Sequence, residues 1–293
     1  PTPTVSYAGF VNGDTAACLS WPAVPATTAI RASGVGSYPI TVSSGTNPNY
    51  AITYVNGALS IAPASLVIKS NDTNGTYGST PSPWVSYIGF VNGDDQYDLT
   101  KRPTVTTLAT SSSPVGTYLS TASGAISANY AITYISAVHT IVPATITVTP
   151  ASKTMLYGQA VPALTVSYSG FKNGDTVAKL TTLPTVSTTA TSASHPGCYW
   201  ITASGAVATN YVFSYAAAKL LVNAAPLVVS VDNKTIQRGQ TVPPLTASYS
   251  GFVNGDTASS LVNLPTISTT GTSASPVGTY LITASGAASS DYA

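Results

Sequence analysis

The sequence contains no Glu at all. Its nine acidic residues are all Asp, set against ten Lys plus Arg, so charged residues make up 6% of the 293 positions and the net charge is +1. Average globular chains carry about 25% charged residues. Such near-neutrality excludes the electrostatic footprint of a nucleic-acid binder and that of a polybasic membrane-surface protein. One Met and four Gln leave few strong helix formers, which excludes a mainly helical fold. No run of 18 apolar residues occurs, so no segment qualifies as a membrane-spanning helix. The only cysteines are Cys18 and Cys198. They form no disulfide framework, and two thiols without further ligands make no structural zinc site.

What the chain has in abundance is hydroxyl: 44 Thr and 38 Ser, beside an apolar fraction of 44%. That apolar fraction is enough to build a core, so simple disorder is excluded. Val, Ile, Thr and Tyr favour strands. Repetition organises everything else. Gly9-Phe10-Val11-Asn12-Gly13-Asp14 returns at 89–94, as Gly170-Phe171-Lys172-Asn173-Gly174-Asp175, and at 251–256. A Gly/Pro-rich block ending in Tyr38, Tyr118, Tyr199 and Tyr280 keeps the same step. So does Asn49-Tyr50-Ala51-Ile52-Thr53-Tyr54, which returns at 129–134, at 210–215 and, truncated, at 291–293. The period of about 80 residues exceeds that of solenoid repeats, so each unit is a small domain with its own core.

The divisions fall at 1–62, 63–142, 143–223 and 224–293. The first unit is expected to lack its opening strand and the fourth its closing strand, as in a window cut from a longer array. In the third unit strands are predicted over 146–149, 164–171, 184–191 and 198–204, with one long strand over 211–222. Asn173-Gly174 is a turn signal, because both residues tolerate positive φ. Asp175 is read as the N-cap of one helical turn. The fold class is therefore all-β, a tandem array of modules with an Ig-like sandwich shape. A β-grasp-like sheet with one short helix is the alternative. Unit boundaries such as 59–68 are apolar and punctuated by Pro, so they are expected to be buried between neighbours, stacking the modules into a stiff filament.

The blocks Tyr157-Gly158, 167–176, Ser275-Pro276-Val277-Gly278-Thr279-Tyr280 and Asn129-Tyr130-Ala131-Ile132-Thr133-Tyr134 resemble the MBG-type repeat of the YGX class. The resemblance covers almost the whole chain. It departs at Arg238-Gly239, where Tyr-Gly is expected, and at His195-Pro196-Gly197-Cys198. It implies modular, extracellular, structural or adhesive work in a bacterial surface protein, and it supplies no catalytic motif.

No residue pattern stands out as catalytic, cofactor-binding or metal-binding. Asp14, Asp94, Asp175 and Asp256 recur at one repeat position, but calcium needs six to eight oxygens, so capping is the preferred reading. Asp94, Asp95 and Asp98 form a local acidic excess in one unit. Seventeen of the 18 tyrosines are locked to the repeat, Tyr97 being the exception. Core and sheet packing is favoured for them over a sugar-stacking ladder. Phe10, Phe90, Phe171 and Phe252 are assigned to the core. Trp21, Trp84 and Trp200 occupy three different repeat positions and form no shared site. His139 and His195 are unrepeated, with no acid beside either in sequence, and Cys198 is read as a substitute for Thr117 and Thr279 rather than as a nucleophile. Asn71, Asn74 and Asn233 head N-glycosylation-type sequons.

These residues point to a non-enzymatic stalk or fibril module at a bacterial cell surface or outside the cell, without cofactor. Carbohydrate-binding adhesin modules are the alternative. The expected partners are neighbouring modules or like chains, and glycans either attached or bound. Nucleic acid and membrane insertion are not expected.

Overall fold

The computed structural model describes residues 2–293. Pro1, at which the first module was drawn to begin, lies outside the described residues. The chain is all-β, and the helical content of the described residues consists of three 3-10 turns, Ala16–Cys18, Val177–Lys179 and Ala258–Ser260. It divides into two compact units, Pro1–Val142 and Pro143–Ala293. Each unit holds two modules.

The third module shows the plan. Its strand Ala144–Pro150 pairs antiparallel with Val166–Ser169 and parallel with Tyr211–Tyr215, giving a three-stranded sheet. A four-stranded sheet runs in the order Lys153–Leu156, Ala218–Asn223, Gly197–Ser204, Thr185–Thr188. Ala144–Pro150 and Ala218–Asn223 alternate buried and open positions along their length, as strands with one face on a core must. Ile146, Val148, Ile201 and Leu220 are fully or almost fully removed from solvent. Each contributes about 1.5–3 kcal/mol by that burial.

The second module repeats the plan. Ala64–Ser70 lies between Val85–Ile88 and Tyr130–Ile135 in one sheet. The other sheet runs Thr73–Thr76, Ala137–Val142, Gly116–Ser123, Thr104–Thr107. Leu66 and Ile68 from the first sheet pack with Ala122 from the second, with Leu99 and with Tyr130. One core between two sheets is a sandwich, and the β-grasp alternative is set aside. No residue of any 3-10 turn is buried, so no helix covers a sheet.

Three expectations are corrected. The long strand over 211–222 is two strands in different sheets, Tyr211–Tyr215 and Ala218–Asn223. Between them the Ala216 amide donates to the Val148 carbonyl and the chain changes sheets. The strand Lys153–Leu156 was missed: its Lys-Thr-Met-Leu sequence has no clean alternation, and only its parallel pairing with Ala218–Asn223 makes it a strand. Within 59–68, Leu66 and Ile68 are buried in the second module's own sandwich rather than between neighbours.

The second module also carries a polar core. Ser70, Ser120 and His139 are buried where the third module places Pro150, Ile201 and Leu220 in the repeat register. His139 Nδ1 lies 2.7 Å from Thr73 Oγ1.

Candidate functional site

The most regular polar constellation begins at the Asn-Gly turn. Asn12, Asn92, Asn173 and Asn254 all take φ between 54° and 58°, and each is followed by a Gly of positive φ. The turn closes when the next Asp amide donates to the carbonyl three residues back, at 3.0 Å for Asp14, 3.0 Å for Asp94, 2.8 Å for Asp175 and 2.9 Å for Asp256. That places each carboxylate beside a repeat tyrosine. Tyr50 donates to Asp14 at 2.7 Å, Tyr130 to Asp94 at 2.7 Å, Tyr211 to Asp175 at 2.7 Å and Tyr292 to Asp256 at 2.6 Å. The same hydroxyl oxygens accept the amides of Val11, Val91, Lys172 and Val253.

The capping expectation is therefore corrected. The N-caps of the 3-10 turns are Thr15, Thr176 and Thr257, one residue later, and the Asp side chains serve as acceptors for tyrosine. The phenylalanines are half-buried rather than fully enclosed. Phe10, Phe90, Phe171 and Phe252 each set an edge against the Asp-bonded Tyr, with ring centroids 5.2–5.6 Å apart and interplanar angles of 82–88°.

Other repeat tyrosines also spend their hydroxyls on backbone. Tyr38, Tyr118, Tyr199 and Tyr280 donate to the carbonyl four residues back, as in a tyrosine corner. Tyr134 and Tyr215 accept the amides of Ala125 and Ala206, and Tyr54 donates to the Gly45 carbonyl.

Within the second compact unit the constellation extends across a module boundary. Tyr157 of the third module is buried and donates to Asp256 of the fourth at 3.0 Å. Two phenols thus converge on one carboxylate, and their rings meet edge to face at 5.6 Å. Tyr292 foremost, with Tyr157 and Ser260, holds the Asp256 carboxyl below the usual carboxylate range. Burial, followed by the Asp256 hydrogen bond, pushes Tyr292 up to about 12. Gly158 approaches so closely that a Cβ there would stand 2.3 Å from Val253 Cγ2. His195 Nδ1 lies 2.7 Å from Asp291 Oδ1, and its ring stacks on Tyr157. In the first unit the corresponding contact is made by backbone: the Val35 amide donates to Asn129 Oδ1 at 3.0 Å.

The His195–Asp291 pair was invisible in the sequence, where the two residues lie 96 positions apart. The shared repeat period was the one available signal. His195 thus directs its Nδ1 to Asp291, and Cys198, like Cys18, is an exposed free thiol. In the acidic stretch, Asp98 accepts the Asp95 amide at 2.8 Å and Asp95 accepts the Tyr97 amide at 2.7 Å. Among the described residues no group of three or more His, Cys, Asp or Glu is placed to hold a metal.

Asn74 and Asn233 are exposed, whereas the Asn71 amide is partly covered and donates to the Lys69 carbonyl and Ser86 Oγ. Trp21, Trp84 and Trp200 are all more than half exposed and remain in separate places, with Lys219 lying 5.7 Å over the Trp200 ring. Two open clefts mark the surface. One, of about 400 Å³, is lined by Trp84, Tyr87, Gln96 and Arg102 above aliphatic residues. The other, of about 610 Å³ in the fourth module, is lined by aliphatic residues, Ser259, Asn263 and Thr266. No helix among the described residues is long and apolar enough to cross a membrane.

Tyr157 and Gly158, at the boundary, form one of the blocks that carry the sequence resemblance. No curated protein matches the chain. The family model for the MBG domain (YGX type) matches residues 1–60, 66–140, 146–221 and 227–293. With four matched copies accounting for nearly all of its length, the chain belongs to the MBG domain family, YGX type.

Proposed function

We propose that this chain is a non-enzymatic structural segment, a stalk or fibril part of a bacterial cell-surface or extracellular protein. The observation that carries the reading is where the repeated polar groups go. The repeat tyrosines of the Asp-bonded and corner classes direct their hydroxyls to backbone or to a recurring Asp. Groups used in this way hold loops in place and are not held ready for a substrate. A β-module repeated four times, with a polar contact joining modules in the first compact unit and polar and apolar contacts joining them in the second, suits a spacer that bears load or distance. Solubility at 6% charge falls to hydroxyls and, in this reading, to attached glycans.

The test has two parts. Antibody against the chain should label intact cells of the producing organism, and protease added outside should remove the label. Images of the native protein should show a regular axial spacing of one module. Label only after cell lysis, or beads with variable angles between neighbours, would overturn the surface-stalk reading.

A further inference from the structure

The second module departs from its siblings at four positions, three of which line one cleft while the fourth, Tyr97, lies under the guanidinium of the lining Arg102. Trp84 stands where the repeat register has Thr4, Thr165 and Thr246. Gln96 replaces Ala16, Val177 and Ala258. Tyr97 replaces Ala17, Ala178 and Ser259, and Arg102 replaces Pro22, Leu183 and Leu264. Scattered exposed aromatics are ordinary on a protein surface. Three such replacements lining one depression, with Tyr97 packed on one of them, are not explained by the scaffold, because the third module builds the same two-sheet plan without them.

The local backbone is rebuilt to present these groups. The first, third and fourth modules place a 3-10 turn at this point, and the second does not. Its loop is instead tied by the Asp98 and Asp95 carboxylates, which accept the amides of Asp95 and Tyr97. This gives the acidic stretch a structural role: it holds out Gln96 and Tyr97. Tyr97 is 72% exposed, and the Arg102 guanidinium carbon sits 5.3 Å above its ring. Trp84 is 55% exposed and lines the cleft with Gln96, Tyr87 and Arg102.

Tyr87 has its own history in the repeat. In the first module the equivalent Tyr7 hydroxyl accepts the Ala23 amide at 2.8 Å. At that position the second module has Pro103, as the third and fourth have Pro184 and Pro265, and a proline has no N–H to offer. Among the described residues Arg102 makes no salt bridge, and its guanidinium lies over the Tyr97 ring at the edge of the cleft.

We infer that this cleft of the second module binds a carboxylate-bearing glycan, with a pyranose ring on Trp84 and the sugar carboxylate on Arg102. An indole face offers a flat, weakly polar platform to the C–H face of a sugar ring. A guanidinium presents two parallel donors that match a carboxylate. Gln96 and the Tyr87 hydroxyl supply donors and acceptors for ring hydroxyls. The fourth module's cleft has neither an aromatic nor a charged lining residue and serves as the internal contrast. This assignment does not depend on the stalk reading: one module of a spacer can carry a site.

The test uses the full 293-residue chain and a hexuronic acid oligosaccharide of four to six sugars, followed by calorimetry and tryptophan fluorescence. Saturable binding is expected, on the order of millimolar or tighter. Trp84→Thr and Arg102→Leu install residues that the third module tolerates at these positions, Thr165 and Leu183, and each is expected to weaken binding at least tenfold. Trp200→Leu, which matches Leu119 and Leu281, is expected to leave it unchanged. No saturable binding, equal binding by Trp84→Thr, or equal loss in Trp200→Leu overturns the assignment. Equal affinity for the carboxyl-reduced neutral oligosaccharide overturns the role given to Arg102. None of these outcomes bears on surface labelling or axial spacing, so the two readings fail separately.

Discussion

The Tyr157 hydroxyl of the third module donates to Asp256 of the fourth at 3.0 Å, beside the 2.6 Å bond that Asp256 receives from Tyr292 in its own module. One carboxylate therefore serves as the internal latch of a module and as its connection to the preceding one. Gly158 makes that approach possible, since the Val253 side chain occupies the space that its Cβ would take.

Gly158→Ala and Gly239→Ala form a matched pair. Both glycines have φ of +84°, but nothing lies within 4 Å of a Cβ on Gly239. Gly239→Ala is expected to cost about 1 kcal/mol, from its backbone conformation alone. Gly158→Ala should cost a further 1–3 kcal/mol or so from overpacking against Val253. Denaturant unfolding measures both, and equal losses would contradict the close contact.

Tyr130→Phe removes the donor to Asp94 and the acceptor for the Val91 amide while keeping the ring against Phe90. An unpartnered polar group at a largely buried site costs about 1–3 kcal/mol. The second module should melt several degrees lower, as followed by calorimetry. An unchanged melting temperature would show that the latch does not stabilise the module.

The junction should loosen at both extremes of pH. Tyr292 is raised in the folded state to about 12. Its contribution is therefore complete below the ordinary tyrosine value near 10 and is lost as pH rises from there through about 12. Asp256 is lowered in the folded state, so its contribution is present above the ordinary carboxylate range and is lost as pH falls below it. Absorbance near 295 nm should show a late-ionising fraction of phenols that becomes smaller in Asp256→Asn, where burial alone still holds Tyr292 up. A single tyrosine titration in the unaltered protein would contradict the assignment.

Covalent sugar is expected on native material, on surface Thr or Ser or at Asn74 and Asn233, which are exposed, before Asn71, whose amide is engaged. Intact mass followed by glycopeptide mapping checks this. A native mass equal to that of the bare polypeptide would refute it.

By itself the sequence determined the repeat, the all-β class and the positive-φ turn at Asn173-Gly174. These are local or periodic properties: strand propensity, alternation and turn chemistry act over a few residues, and repetition carries the same solution forward. Only the tertiary structure decided what the recurring Asp does, because its Tyr partner lies 36 residues away and the cap position next to it belongs to Thr. It also decided where the 211–222 segment breaks and that Lys153–Leu156 is a strand. Both follow from which strand stands alongside, and neighbours across a sheet leave no mark on local pattern. Trp84, Gln96 and Arg102 were each visible as departures from the repeat, but over a span of 19 residues only the fold could bring them to one cleft.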